Sequence, residues 1–174
     1  MPFCVFIPSY NNVKNDRYIH NLNSILRQKY SNYRILYIDD ASPDNTAKFV
    51  EEYVSKLNLP EGKFTLIRNE KNLKALENIY YASHNFCKDH ELFMIMDGDD
   101  YLIGDYVFQS YNLHFQKEDL WHVYSNFMFS SHPAPGFSHP IDHIILATRQ
   151  YRKNPGGVTH KYVFYNKLFR MIKK

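Results

Sequence analysis

With 174 residues, the chain is long enough for one domain that buries roughly 70% of its unfolded surface. Hydrophobic residues make up 44% and charged residues 22%, a balance that excludes a disordered tail. The net charge of +3 is too small to indicate a nucleic-acid-binding protein.

The two cysteines, Cys4 and Cys87, exclude a disulfide-rich scaffold and a cysteine-only zinc site. We expect each to pack as a small apolar group in a reduced, cytoplasmic protein. The N-terminal apolar run at 3–7 is too short for a signal sequence. No stretch reaches the roughly 20 apolar residues that a membrane helix needs.

The first 130 residues alternate between short apolar runs and helical periodicity. Apolar runs of strand length occupy residues 3–7, 34–38, 64–67 and 92–96. Apolar residues spaced three and four apart predict helices over residues 17–30, 46–57, 75–86 and 104–116. A further strand is predicted at 121–129, a loop at 130–148 and a helix at 162–174. This alternation predicts one α/β domain over 1–174, with a mostly parallel sheet and helices on both faces.

Polar groups follow three of the predicted strands, at the sheet edge where ligands bind in open α/β folds. The carboxylates among them are Asp39, Asp40, Asp97, Asp99 and Asp100. Five carboxylates at one edge would repel one another unless a cation offsets their charge. Magnesium or manganese suits such oxygen ligands and typically bridges them to substrate phosphates. Aspartate and glycine after a strand are also ordinary turn residues, so their joint placement, not any single motif, indicates a site.

Tyr10 follows the first strand and can stack on a planar base, while a neighbouring carboxylate accepts an N–H from it. A carboxylate acceptor fits uracil or guanine better than adenine, whose Watson–Crick edge offers an acceptor nitrogen beside its amino group. Arg68, Lys71 and Lys74 follow the third strand, where one of them could neutralise a diphosphate.

These residues resemble the family-2 glycosyltransferases, which have the GT-A nucleotide-sugar-binding fold. The matching stretches are 7–11 (IPSYN), 38–46 (IDDASPDNT), 68–72 (RNEKN) and 96–100 (MDGDD). The match covers residues 3 to about 105, and 156–172 resemble the acceptor-side segment of the family. The resemblance implies a nucleotide-sugar-binding half at 1–105 and the start of an acceptor-side half at 106–174, which we expect to be truncated.

The resemblance also implies site roles. The nucleotide-sugar-binding residues would be Pro8, Ser9, Tyr10, Asn11, Asp40, Arg68, Asp97, Gly98 and Asp99. Asp99 and Asp100 would hold Mn²⁺ or Mg²⁺. The donor would be a UDP-sugar, with GDP or TDP as less favoured alternatives, and the acceptor is unknown. One departure is Lys74, which stands where the family pattern has a glycine.

Family members transfer the sugar with inversion and use a late carboxylate as the base that deprotonates the acceptor hydroxyl. After Asp142 this chain contains no aspartate or glutamate. The catalytic base is therefore unknown, and His160 is a candidate on chemical grounds.

Three other functions stay open. The domain could bind nucleotide and metal without transferring a sugar, as the missing late acid favours. A nucleotidyltransferase would also use aspartates and a metal, but it usually has a glycine-rich loop after its first strand, and residues 8–17 contain no glycine. A purely structural domain would bind neither nucleotide nor metal.

Overall fold

A computed structural model describes residues 1–117 and two short strands at 122–124 and 162–165. Its centre is a six-stranded sheet in the order β3-β2-β1-β4-β6-β5. The strands are β1 (Phe3–Ser9), β2 (Tyr33–Asp39), β3 (Phe64–Arg68), β4 (Leu92–Ile95), β5 (His122–Tyr124) and β6 (Tyr162–Tyr165). The first four strands pair in parallel, and β6 pairs antiparallel with both β4 and β5.

Within the described residues, four helices connect or flank the strands. They are α1 (Arg17–Leu26), α2 (Thr46–Ser55), α3 (Lys74–Asn85) and α4 (Val107–Lys117), and a short 3-10 turn at Lys14–Asp16 precedes α1. Among the described residues, no helix is long and apolar enough to cross a membrane.

The alternation of side chains along each strand divides the core into two layers. On one face, β1 and β2 pack against residues of α1, α2 and α4, including Leu22, Val50 and Phe108. On the other face, Phe6 and its neighbours pack against Ala82 of α3. The predicted mostly parallel sheet with helices on both faces is confirmed.

Two predictions are wrong. The tail from residue 162 was expected to be helical, but Tyr162–Tyr165 forms strand β6 between β4 and β5. The apolar residues there suit either element, and pairing with two strands decides for the extended form. The predicted strand at 121–129 is described only at His122–Tyr124, and the loop at 130–148 lies outside the described residues.

The second error concerns the cysteines. Cys4 and Cys87 are buried as expected, but they form a disulfide with a Cα–Cα distance of 5.8 Å. Cys4 lies on β1 and Cys87 lies two residues after α3, so the bond joins the end of α3 to the central strand.

A partly buried ion pair lies near this bond, at the edge of the sheet where the parallel strands begin. Nε and an Nη of Arg34 donate to the two carboxylate oxygens of Glu91, both at 2.7 Å. Arg34 also donates to the backbone oxygen of Phe86 at 2.6 Å. The end of α3 is thus fastened to β1, β2 and the start of β4.

Candidate nucleotide-sugar site

The order of the strands places a crevice at the opposite edge of the sheet. β1 lies between β2 and β4, and the helices that lead from β1 to β2 and from β3 to β4 lie on opposite faces. Such a reversal leaves an opening beyond the carboxyl ends of the two central strands. A cavity of about 240 Å³ occupies it, lined by Pro8, Ser9, Tyr10, Asn12, Arg17, Asp40, Ala75, Asn78, Asp97, Gly98 and Asp99.

The floor of the cavity is a buried hydrogen-bond network at the end of β1. The hydroxyls of Ser9 and Tyr37 lie 2.6 Å apart, and Nδ2 of Asn12 donates to Oγ of Ser9 at 2.8 Å. Burial raises the pKa of Tyr37 far above its ordinary value, so the phenol stays protonated. Tyr10 next to this network is 48% exposed, which leaves its ring available for stacking.

The turn after β4 lies directly against this floor. The N–H of Gly98 donates to the backbone oxygen of Pro8 at 3.0 Å, and the N–H of Asp100 donates to that of Asp97 at 3.1 Å. A Cβ at Gly98 would lie 2.5 Å from Nδ2 of Asn12 and 2.9 Å from Oγ of Ser9. Only glycine permits this approach, and Asp97 and Asp99 on either side of it line the same cavity as Tyr10.

Asp40, at the end of β2, is 5% exposed and bonded to the start of α3. Its Oδ1 accepts from Nδ2 of Asn69 and from the N–H of Leu73, each at 2.8 Å, and its Oδ2 accepts from the N–H of Lys74 at 2.9 Å. Burial raises the pKa of Asp40, but the amides of Asn78 and Asn69 and the two N–H groups outweigh that effect and lower it overall. Asp40 is therefore ionised at neutral pH.

Most of the predicted binding residues line the cavity: Pro8, Ser9, Tyr10, Asp40, Asp97, Gly98 and Asp99. Asn11, Arg68 and Asp100 do not belong to the lining. Arg68 pairs with Glu51 of α2 at 2.5 Å. The N–H of Asn11 donates to Oγ of Ser42 at 3.0 Å.

The five carboxylates expected at this edge do not all converge. Asp39 is buried beneath the loop that follows β2, where its Oδ2 accepts from the N–H of Ser42 at 3.1 Å. Burial raises its pKa, and the hydrogen bonds from Ser42 offset this only in part. Within the described part of the chain, the one group of three metal-ligating side chains with ligand atoms within 4.8 Å of one another is Cys4, Cys87 and Glu91.

That group at the far edge is no metal site, because its sulfurs are bonded to each other and Glu91 is paired with Arg34. At the cavity, Asp97 and Asp99 are both exposed. Two carboxylates fit a magnesium or manganese ion that takes its other ligands from water and substrate phosphates.

Sequence reasoning missed Asn12, Arg17, Ala75 and Asn78 of the lining. Arg17 and Asn12 follow β1 closely enough that proximity to the predicted Tyr10 was an available signal. Asn78 carried no such signal, because it reaches the cavity only through the packing of α3. His160 lies outside the described residues, so its prediction is untested.

The sequence model of the glycosyl transferase family 2 matches residues 4–172. The chain belongs to this family. It is 30% identical over 105 residues to the poly(ribitol-phosphate) β-N-acetylglucosaminyltransferase TarS of Staphylococcus aureus, an alignment that covers 59% of this chain and 17% of TarS.

Solved structures agree on the GT-A fold. TarS residues 1–349 in complex with UDP-GlcNAc superpose with a TM-score of 0.62 at 22% identity, covering 78% of this chain and 37% of that one. The mannosyltransferase PcManGT of Pyrobaculum calidifontis, in complex with GDP-Man and Mn²⁺, gives a TM-score of 0.58 at 17% identity, covering 69% and 34%. The chain thus spans well under half the length of each relative.

Proposed function

We propose that the cavity binds a nucleotide-diphosphate sugar together with Mn²⁺ or Mg²⁺, and that the protein transfers the sugar to an acceptor hydroxyl with inversion. The observation that carries this proposal is the joint placement of Tyr10, Asp97 and Asp99 on one cavity at the reversal of strand order. The carboxylates suit a divalent cation and the exposed ring suits a base.

The contacts of Asp40 favour uracil as the base. Asp40 lines the cavity as an ionised acceptor, which suits an N–H of uracil or guanine. Asn69, Leu73 and Lys74 already donate to this carboxylate, and the amide of Asn78 also lowers its pKa. Uracil presents a single N–H to such a crowded acceptor, whereas guanine would present two N–H groups.

Asp97 would lie near the ribose, and Asp99, with Asp100 as a second candidate, would hold the metal ion. The bound metal supplies positive charge that stabilises the departing diphosphate. Arg17 adds a basic side chain to the cavity wall, where it can pair with a phosphate. Arg68 is less suited to that role than the sequence suggested, because Glu51 already holds it.

The division into halves at 1–105 and 106–174 and the cytoplasmic location stay predictions. The acceptor and the catalytic base stay unknown. The Cys4–Cys87 bond argues against the location, because disulfides persist mainly in oxidising compartments. A domain that binds donor and metal without transfer remains the alternative.

Thermal unfolding in the presence of UDP, GDP, TDP or ADP, each with and without Mn²⁺, tests the donor site. A ligand at a hundred times its dissociation constant stabilises the fold by about 2.7 kcal/mol. We expect a Mn²⁺-dependent increase in Tm that is largest with UDP and is reduced in Asp99→Asn. The control is Asp89→Asn, an exposed carboxylate between α3 and β4, which should respond like the wild type. No response to any nucleotide would refute the proposed donor site.

Release of UDP from UDP-GlcNAc then separates an enzyme from a silent binding domain. Metal-dependent release that needs an added acceptor supports transfer. Binding without release, across a range of sugar acceptors, supports the silent alternative.

A further inference from the structure

Helix α1 and the residues directly after it carry a row of buried polar side chains where a core-facing segment usually carries apolar ones. Asn21, Ser24 and Gln28 are 0%, 3% and 7% exposed. Asn21 and Ser24 lie three residues apart on one side of α1, and Gln28 lies two residues beyond its end. All three hydrogen-bond to residues within 97–108. The row therefore fastens the segment that follows β4.

Asn21 contacts the two ends of the acidic turn. Its Nδ2 donates to the backbone oxygen of Asp97 at 2.9 Å and to that of Asp100 at 2.7 Å. Both partners are carbonyl acceptors, so only the amide nitrogen can face them, and this fixes the orientation of the side chain. One amide group thus links α1 to the first and last residues of the 97–100 turn.

This arrangement leaves Oδ1 of Asn21 buried without a hydrogen-bond partner. A buried acceptor without a donor destabilises a fold, so stability alone does not favour asparagine here. An apolar residue would avoid that cost, but it would remove the donor that the two turn carbonyls share. Asparagine at this position therefore serves the hydrogen bonding of the turn and not the stability of α1.

Ser24 and Gln28 contact later parts of the same segment. Oγ of Ser24 accepts from the N–H of Leu102 at 2.9 Å. Nε2 of Gln28 donates to the backbone oxygen of Gly104 at 2.7 Å, and its Oε1 accepts from the N–H of Val107 at 2.9 Å. Gln28 is therefore a matched comparison for Asn21, because it is a buried amide two residues after the same helix that hydrogen-bonds to the same segment, away from Asp97 and Asp99.

The same helix also contributes to the cavity wall. Arg17 lies four residues before Asn21, on the same side of α1, and lines the cavity. One rigid helix thus places a basic side chain and holds the turn that carries Asp97 and Asp99.

We propose that Asn21 is a positioning residue of the donor site, which fixes the 97–100 turn so that Asp97 and Asp99 face the cavity. This inference rests on the proposed function, since it assigns the turn to metal and diphosphate binding. Asn21 acts through the backbone of the turn and does not itself contact the donor.

Hydrogen exchange and ligand binding in N21L and Q28L test the proposal. Leucine keeps the branched shape of asparagine and removes both donors. In the protein without ligands, we expect N21L to increase amide exchange within residues 97–100 by about tenfold, because the turn loses the net stabilisation of its hydrogen bonds to Asn21. Q28L should increase exchange only near residues 104–108. In calorimetric titrations with UDP and Mn²⁺, N21L should bind about tenfold more weakly than wild type, and Q28L within about twofold.

If N21L fails to fold, N21S is the second variant, because serine is too short to reach both carbonyls, and the same changes are expected. Exchange at 97–100 that matches the wild type, or binding weakened equally in N21L and Q28L, would overturn the positioning role. Failure of the wild type to bind UDP with Mn²⁺ would instead overturn the proposed function and, with it, the role of the turn as a donor site. The exchange data separate the two failures because they need no ligand.

Discussion

The backbone N–H of Lys74 donates to Oδ2 of Asp40 at 2.9 Å from a left-handed backbone conformation, with a φ of 69°. The N–H of Leu73 donates to the other carboxylate oxygen at 2.8 Å. Asp40 therefore accepts from the first N–H groups of α3, although it lies on another segment of the chain, and Leu73 itself provides no side-chain cap. The same carboxylate caps the start of α3 and lines the cavity.

Lys74 stands where the family pattern has a glycine, and its positive φ gives the physical reason for that pattern. We expect Lys74→Gly to raise the free energy of unfolding by about 0.5–1 kcal/mol, because relief of left-handed strain exceeds the added unfolded-state entropy. Chemical denaturation measures this change. Lys48→Gly, within α2, should lower the free energy of unfolding by about 1 kcal/mol. A change of the same sign in both variants would contradict backbone strain at Lys74.

Asp40→Asn should lower the free energy of unfolding by about 2 kcal/mol, because it removes the charge that three donors share and turns an amide N–H toward one of them. It should also abolish the Tm increase with UDP. The control is Asp105→Asn, whose partner Arg27 lies on the surface, and which should cost less than about 1 kcal/mol. A similar loss in both variants would argue against the role of Asp40 at α3.

Gly98→Ala should destabilise the fold by about 1–3 kcal/mol and weaken UDP binding, because the new methyl group would overlap Asn12 and Ser9. Gly62→Ala is the informative comparison. Gly62 has a φ of 75° and nothing within 4 Å of an added Cβ, so that substitution adds only backbone strain. Urea denaturation and UDP titration of both variants should show that only Gly98→Ala affects binding.

The pH dependence of stability follows from Asp40 and Glu91, whose folded pKa values are below the ordinary 3.8 and 4.5. For Glu91, burial raises the pKa, but the hydrogen bonds from Arg34 and Lys88 outweigh it. A carboxyl with a lowered folded pKa stabilises the fold above its unfolded pKa, and this is lost as pH falls through the folded value. The raised pKa of Asp39 acts in the opposite direction and offsets part of that loss.

Urea midpoints measured from pH 7 to pH 3 should therefore decrease below about pH 4.5. Glu91→Gln should be less stable by about 2 kcal/mol at pH 7, since Arg34 loses its charged partner. Its midpoint should then change less with pH below 4.5 than that of the wild type. An unchanged slope would mean that other groups govern acid unfolding.

Local patterns were enough to predict the alternation of strands and helices and the polar residues at the strand ends. Apolar periodicity marks the core-facing side of each element, and parallel strands bring their carboxyl ends to one edge, so Tyr10 and Asp97 could be placed together. Asn78 could not be predicted, because its position depends on how α3 packs across the sheet.

Contacts between distant segments explain the errors as well. The Cys4–Cys87 bond spans 83 residues, and nothing in the sequence near either cysteine indicates the other. Arg68 is the last residue of β3, and it pairs with Glu51 of α2 and does not line the cavity. Tyr162–Tyr165 becomes a strand because β4 and β5 supply its hydrogen-bonding partners.

The bond between Cys4 and Cys87 encloses β2, β3 and the three helices α1, α2 and α3 in one covalent ring. A protease that cuts the exposed turn at Gly62 would therefore leave two fragments that migrate together on a non-reducing gel and separate only after a thiol is added. The ring also keeps both fragments at a high effective concentration, so the nicked chain can retain its paired strands.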